Sequence, residues 1–294
     1  MVVLMSSILI VGANGFIGLK LLQTLTSFKN IYTISRNKLN KVDKSNIHEY
    51  RFDISKTWSF KDHTDIILFC ATHHQFSKHK NTPIDYVNTN ITGLINSLEF
   101  AKKNKPKCFI YFSTMAIYGK PREKNIQEDS SIFNPDIYGT SKYFAEKILQ
   151  HYSSFFKILI IRLPGVVDKV MPENRPWIST VIHKLKNNLD IKIYNPTSNF
   201  NNIIDIDNIT QLIESAIASK INFQYEIVNM AASKPMKLID VIYLLKLNLK
   251  SNSKIICDNL TQKSFEINIK KLDKLFNFIP ETTGEILDKI SKID

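Results

Sequence analysis

The chain is short of several things, and each shortage excludes something. It has only three cysteines in 294 residues, Cys70, Cys108 and Cys257, lying far apart. They are too few and too scattered for a disulfide framework, which points to a reducing compartment and a cytoplasmic location. Cys70 and Cys108 fall in strand-like runs and are expected to face a core. Residues 1–11 are apolar, but Ser6-Ser7 interrupts them and a glycine-rich turn follows, with no basic leader and no small-residue cleavage site. Neither a signal peptide nor a membrane span is expected. Eight glycines and ten prolines, without a repeat or low-complexity tract, exclude a collagen-like or wholly disordered chain. Arginine is scarce: Arg36, Arg51, Arg122, Arg162 and Arg175 are the only ones among 39 basic residues, the rest being lysine. Against 27 acids the formal charge is +12. Such a balance permits a nucleic-acid surface, but a broad Lys/Asn/Ile bias accounts for it more simply, and nucleic acid is not an expected partner.

What is present alternates in a regular way. Apolar runs at 7–11, 31–35, 47–52, 65–71, 108–113 and 157–163 read as strands, and the stretches 15–27, 84–103 and 138–152 have helical spacing. Near-continuous apolar strands separated by helices predict a parallel sheet covered on both faces. Right-handed crossovers make that a Rossmann-type, doubly wound α/β fold. After Leu163, prolines at 164, 172, 176 and 196 punctuate the chain. Helices are predicted over 177–188, 208–219, 238–248 and 283–293, and short strands over 191–194 and 226–229. The expected division is a cofactor-binding domain over 1–165 and a smaller, partly interleaved substrate lobe over 166–294, with segments near 200–230 returning to the first sheet.

The first strand runs into Gly12-Ala13-Asn14-Gly15-Phe16-Ile17-Gly18, which opens the first helix. In that context Gly12 permits a tight turn, Gly15 lets the backbone approach a pyrophosphate, and Gly18 lets helix and strand pack closely. The helix start offers open N–H groups to the phosphates, so Asn14, Phe16 and Ile17 join the glycines as candidate cofactor contacts. The second strand ends in Ile34-Ser35-Arg36-Asn37. An NAD site usually carries an acid here, whereas an arginine accommodates a 2′-phosphate; Arg36 therefore favours NADP, with NAD as the other possibility. Asp53 and Ile54, at the end of the third strand, are candidates for the adenine end. Ala71 and Thr72, after the fourth strand, are candidates further along the cofactor.

Tyr138 and Lys142 stand four residues apart and share one helix face. A nearby ammonium lowers the phenol pKa, so Tyr138 can exchange a proton with an alcohol or ketone. Thr114 ends the preceding strand, in Phe112-Ser113-Thr114, at the ligand-facing edge of such a sheet. It would hold the reacting oxygen. His73, His74 and His79 do not form a metal set, because no cysteine or paired carboxylate completes a tetrahedron.

With these residues in place the chain resembles the extended short-chain dehydrogenases/reductases, the group of nucleotide-sugar epimerases, dehydratases and reductases, over essentially its whole length. Gly12-x-x-Gly15-x-x-Gly18 is similar to their cofactor turn, and Tyr138-x-x-x-Lys142 to their catalytic pair. Phe112-Ser-Thr-Met-Ala-Ile-Tyr118-Gly119 resembles their strand end bearing the catalytic hydroxyl, here Thr114. Asn90-Ile-Thr-Gly93 resembles a helix motif whose Asn supports the active site. Arg162-Leu-Pro-Gly-Val-Val resembles the strand preceding nicotinamide contacts, which implies Pro164 and Val166. Asn201-Asn202-Ile-Ile-Asp-Ile-Asp207-Asn208 resembles a late strand running into a helix.

The departures also inform. The dehydratases of this group carry Asp-Glu after the catalytic Thr, whereas this chain has Met115-Ala116, so a 4,6-dehydratase is not expected. His74, Met115, Tyr118, Arg175 and Asn202 are candidate substrate contacts, Arg175 for a diphosphate. The resemblance implies an NADP(H)-dependent reductase of a nucleotide-diphosphate keto-sugar, acting at C4. The alternatives are an NAD-dependent 4-epimerase and, without catalysis, a cofactor-sensing or RNA-associated member of the fold. A homodimer through the helices near 84–103 and 138–152 is expected by analogy.

Overall fold

The computed structural model describes residues 7–25, 27–39, 45–74, 82–171, 176–218, 223–258 and 264–292. The chain forms two units, one of residues 1–119, 134–162 and 216–228, the other of 120–133, 163–215 and 229–294.

The first unit is built on β1 (Ser7–Val11), β2 (Asn30–Ser35), β3 (Ile47–Arg51), β4 (Ile66–Phe69), β5 (Cys108–Thr114), β6 (Lys157–Leu163) and β7 (Tyr225–Asn229). Between them run the helices α1 (Phe16–Thr24), α2 (Pro83–Tyr86), α3 (Gly93–Asn104) and α4 (Ile137–Tyr152). The seven strands make one sheet in the order β7-β6-β5-β4-β1-β2-β3. β1 pairs in parallel with both β2 and β4, β2 with β3, and β4 with β5. The chain moves outward from β1 to β3, then returns to place β4 on the other side of β1. That reversal opens a crevice at the C-terminal strand ends, where such sheets bind ligands.

Every residue of β1 and β4 is buried, as their unbroken apolar runs require of strands covered on both faces. At the edge, β3 alternates half-buried and exposed positions. Leu9, Val11, Phe69, Phe109, Tyr111, Leu94, Leu98, Leu149 and Ile160 belong to one continuous core between the sheet and helices α3 and α4. Helix α3 ends where Lys105 turns left-handed (φ 54°) before Pro106, and α4 starts where Asp136 accepts the Gly139 N–H at 2.7 Å. Cys70 and Cys108 are half-buried, Cys257 is exposed, and all three are free. Among the described residues no helix is long and apolar enough to cross a membrane.

The single helix expected over 84–103 is instead α2, a π-helical turn at Val87–Thr92, and α3. A π turn inserts one residue and rotates the helix beyond it. Here it turns Asn90 inward until only 1% of it is exposed. Gly93 lets the next turn rest on Ile54, since a Cβ there would lie 2.6 Å from the Ile54 side chain.

The second unit packs the helices Trp177–Lys186, Leu238–Asn248 and Thr283–Ser291 around a core that includes Val167, Ile178, Leu185, Ile242, Leu245 and Ile286. Its short parallel pairs join Gly165–Val167 to Ile203–Asp205 and Ile191–Tyr194 to Ile255–Asp258. The helix Lys270–Phe276 has no counterpart among the helices expected from the sequence.

Gly18 decides how closely α1 lies over the end of β1. A Cβ at Gly18 would fall 2.4 Å from the Gly12 carbonyl oxygen and 2.8 Å from Ala13 Cα. Both are backbone atoms and cannot give way cheaply. Gly18→Val is therefore expected to destabilise the fold by roughly 1–3 kcal/mol, read as a lower urea midpoint with an unchanged slope.

Candidate active site

At the end of β1 the chain turns through Gly12, whose φ of +88° suits glycine. A Cβ on Gly12 would lie 2.5 Å from the Ala71 backbone nitrogen, so the turn passes against the end of β4. On the other side the Gly12 N–H donates to the Ile34 carbonyl at 2.8 Å, and the Gly15 N–H closes the turn on Gly12 at 3.0 Å. Gly15 begins α1 without a capping side chain. The first N–H groups of the helix, at its positive end, are thus left for a ligand. The Asn14 amide nitrogen donates to the Asn37 and Lys38 carbonyls, at 2.8 and 3.1 Å. Its Oδ1 is buried without a hydrogen-bond partner among the described residues. A cradle that side chains would fill and an open helix start fit a dinucleotide phosphate.

Beyond β2, the Ser35 hydroxyl donates to the Asn37 carbonyl at 2.6 Å, turning the chain so that Arg36 and Asn37 are exposed. Asp53 accepts from the Ser55 N–H at 2.9 Å and from its hydroxyl at 2.8 Å. Burial works against the Asp53 charge, but the Ser55 bonds and the charges of Arg36 and Lys56 hold its carboxyl below the usual range. Asp53 and Arg36 therefore share one end of the crevice. Ile54 is buried beside them.

Asn90 braces the other side. Its Oδ1 accepts the His73 N–H at 2.7 Å, and its amide donates to the His73 carbonyl at 3.0 Å and to Ser141 Oγ at 2.9 Å. The Ser141 hydroxyl in turn donates to the Tyr138 carbonyl at 2.8 Å. One side chain thus fixes the loop after β4, which holds Ala71, Thr72 and the half-buried His74, to the first turn of α4.

α4 itself is seated by Gly139. A Cβ at that position would lie 2.3 Å from the Ala116 carbonyl oxygen, so helix and turn touch backbone to backbone. Ala116 belongs to the 3-10 turn Met115–Tyr118, which Thr114 caps by accepting the Ala116 N–H at 3.2 Å. This contact brings the residue before Gly139, Tyr138, beside the strand end carrying Thr114. One turn further along, Lys142 is 2% exposed. Its Nζ donates to the Phe112 carbonyl at 2.6 Å and lies 4.0 Å from the centre of the Tyr111 ring. Burial pulls the Lys142 ammonium down to about 7, opposed by the charge of Glu146. The Tyr111 hydroxyl is buried without a partner among the described residues.

A second buried cluster backs the site. Glu146 takes a bond from the Ser113 hydroxyl at 2.5 Å and two from Arg162, at 2.7 and 3.1 Å. Arg162 also donates to the Tyr118 hydroxyl at 2.7 Å. Tyr118, expected to touch substrate, is fully buried with its hydroxyl held by Arg162; it supports the turn from behind. Met115 is 6% exposed. Glu146 went unremarked in the sequence, although its place one helical turn beyond Lys142 puts it on the same face. Ser141, Gly139 and Tyr111 likewise carried no motif that marks them.

Other expected contacts belong to the second unit. Val166 pairs with Ile204, and Gly165, which follows Pro164, lies near the Asn202 carbonyl, 3.4 Å from where a Cβ would stand. Arg175 and His79 lie outside the described residues.

A model of the NAD dependent epimerase/dehydratase family matches residues 8–231. The chain is 26% identical to a UDP-glucuronate 4-epimerase of Thermodesulfobacterium geofontis, over 94% of this chain and 92% of that protein. It is 29% identical to a dTDP-D-glucose 4,6-dehydratase of Dictyostelium discoideum, over 80% of this chain and 62% of that protein. In fold it is similar to the UDP-N-acetylglucosamine 4-epimerase of Methanobrevibacter ruminantium M1, solved with UDP-N-acetylmuramic acid, at a TM-score of 0.81 and 18% identity over 98% and 97% of the two chains. It is also similar to the UDP-glucuronic acid 4-epimerase of Bacillus cereus, solved with NAD, at 0.79 and 22% over 97% and 95%.

Lys142 makes folding depend on pH. With its pKa near 7 in the folded chain and its ordinary value of 10.5 when unfolded, the unfolded state binds more protons between those limits. The penalty for burying Lys142 is full below about pH 7 and is relieved as pH rises toward 10.5. The melting temperature of Lys142→Met minus that of the parent is therefore expected to stay level up to about pH 7 and then to fall toward pH 10 in a thermal unfolding series.

Proposed function

The chain belongs to the NAD-dependent epimerase/dehydratase family, and from that membership we propose that it carries out hydride-coupled proton transfer on a nucleotide-diphosphate sugar. The finer reading is NADPH-linked reduction of a 4-keto-sugar. The observation that carries it is Arg36, exposed at the end of β2 where an NAD site would hold an acid.

Gly12, Gly15 and Gly18 would hold a nicotinamide dinucleotide, which would supply a hydride to the carbonyl carbon. Tyr138 gives its phenolic proton to the carbonyl oxygen as the bond to carbon forms. The buried Lys142 ammonium favours the phenolate left behind, and its position also suits the nicotinamide ribose. Thr114 accepts from the Ala116 N–H, leaving its own hydroxyl proton as a donor to the same substrate oxygen. Met115 and Ala116 carry neither acid nor base, so loss of water has no proton donor on this segment.

The second reading is 4-epimerisation. The same residues would oxidise the sugar carbinol and reduce the ketone from its other face, without net turnover of cofactor. The epimerases among the similar proteins favour it.

NADPH oxidation against a panel of nucleotide 4-keto-sugars separates these readings. Turnover is expected. No turnover on any member, with NAD retained through purification, overturns the reductase and leaves the epimerase. Arg36→Ala is expected to weaken NADPH binding at least about tenfold, since charged hydrogen bonds contribute roughly 1.5–3 kcal/mol, with little effect on NADH in a fluorescence titration. Tyr138→Phe is expected to lower kcat by about a hundredfold or more; a biological activity untouched by it would point to a non-enzymatic role.

We also propose a cytoplasmic homodimer. Ile84, Val87, Ile137 and Phe144 are 56, 46, 47 and 55% exposed on α2, the π turn and α4, which pack against one another. Four such apolar side chains on neighbouring helical segments fit a self-association face. Phe144→Asp is expected to convert a dimer to monomer in analytical ultracentrifugation.

A further inference from the structure

The carboxylate of Glu146 is 1% exposed, yet it lies on no ligand-facing edge of the sheet. What it touches is informative. Its Oε1 takes the Ser113 hydroxyl at 2.5 Å, and Ser113 is the residue before Thr114. Through Arg162 it reaches the Tyr118 hydroxyl at 2.7 Å, at the far end of the turn after Thr114. Both flanks of Thr114 are therefore tied to one carboxylate. The same carboxylate stands on α4 one turn beyond Lys142, which is one turn beyond Tyr138, and the Tyr225 hydroxyl donates to the Glu146 carbonyl at 3.3 Å.

The surroundings of Lys142 make the charge of Glu146 matter. From β5 the ammonium meets the Phe112 carbonyl and the Tyr111 ring. Cys70, just after β4, and Glu146 act on it through their charge, and on its own helix Glu146 stands one turn on and Tyr138 one turn back. Glu146 is thus the carboxylate whose charge favours the buried ammonium. Its ion pair with Arg162 keeps that carboxylate in place without exposing it to water.

We propose that Glu146 is a positioning residue that ties the strand end bearing Thr114 to the helix bearing Tyr138 and Lys142, and that keeps the Lys142 ammonium charged within the fold. The proposal rests on Tyr138 and Lys142 being the proton-transfer pair, but its first test needs no substrate.

The melting-temperature difference between Lys142→Met and its parent is followed against pH in two backgrounds, the natural chain and Glu146→Gln. In the Glu146→Gln background the fall of that difference is expected to begin about one pH unit or more lower, because an opposite charge at this range has been removed. Ser113→Ala keeps the charge and cuts one tether, so it should leave that pH midpoint in place while lowering kcat on the preferred substrate severalfold. If Glu146→Gln does not fold, Glu146→Asp serves in its place; it retains the charge and should keep the midpoint within a few tenths of a unit, while Ser113→Ala still tests the tether. An unmoved midpoint in Glu146→Gln, with activity lost only in proportion to folded protein, overturns the proposal. A shifted midpoint without turnover on any nucleotide sugar upholds the charge coupling while the reading of function fails.

Discussion

The chemistry proposed for this protein depends on one close approach, that of helix α4 to the turn after β5. Gly139 and Ala116 meet with no side chain between them, so the phenol at 138 and the hydroxyl at 114 come from segments whose backbones are in contact. In the proposed reaction a proton donor and an orienting hydroxyl share one oxygen atom, and misplacement by an ångström is costly in rate. Asn90 repeats this logic from the other side. It uses a side chain where Gly139 uses the lack of one, joining the loop after β4 to the same first turn of α4. The π turn that carries Asn90 costs regular helical hydrogen bonding, and what it yields is an amide pointing into the fold.

Around this contact the chain buries three charges. Glu146 and Arg162 satisfy each other with two hydrogen bonds and share the remaining capacity with Ser113 and Tyr118. Such a pair contributes little net stability against an apolar replacement, but removing one partner strands the other. Lys142 differs, since its direct contacts are a carbonyl and an aromatic face. Burial lowers its pKa to about 7, which suits the role proposed for it beside Tyr138. The rigid pair and the responsive ammonium are one helical turn apart, so the stiffness of one sets the environment of the other.

How much of this could be read beforehand varies with the physics involved. β1 and β4 were legible because burial on both faces leaves only apolar residues. The glycine turn was legible because contacts of 2.4–2.5 Å admit no side chain. Tyr138 and Lys142 were legible from helical spacing. The break in the helix over 84–103 was not, because a π turn changes backbone pairing without changing hydrophobic periodicity. Glu146 was hidden for a related reason: a carboxylate on an amphipathic helix reads as a solvated charge until its partner is known, and Arg162 lies sixteen residues away on another strand. Tyr118 was expected to meet a ligand because a hydroxyl near a catalytic motif suggests it; what the sequence did not reveal is that its ring is buried and its hydroxyl is held by Arg162.

The scarcity of arginine can now be weighed residue by residue. Arg162 is committed to Glu146 in the interior. Arg51 pairs with Glu49 at 2.7 Å, and Arg122 lies 4.1 Å from the centre of the Phe133 ring. Of these, the Arg162 pair exploits what a guanidinium does and an ammonium does not, forked hydrogen bonding to both oxygens of one carboxylate. Arg36 stands exposed at the end of β2, where its charge also favours the Asp53 carboxylate. A phosphate is the ligand class for which a forked donor outperforms a point charge. The net charge of +12 would draw any anion toward the surface, whereas in the proposed reading it is the guanidinium at that strand end that meets a 2′-phosphate.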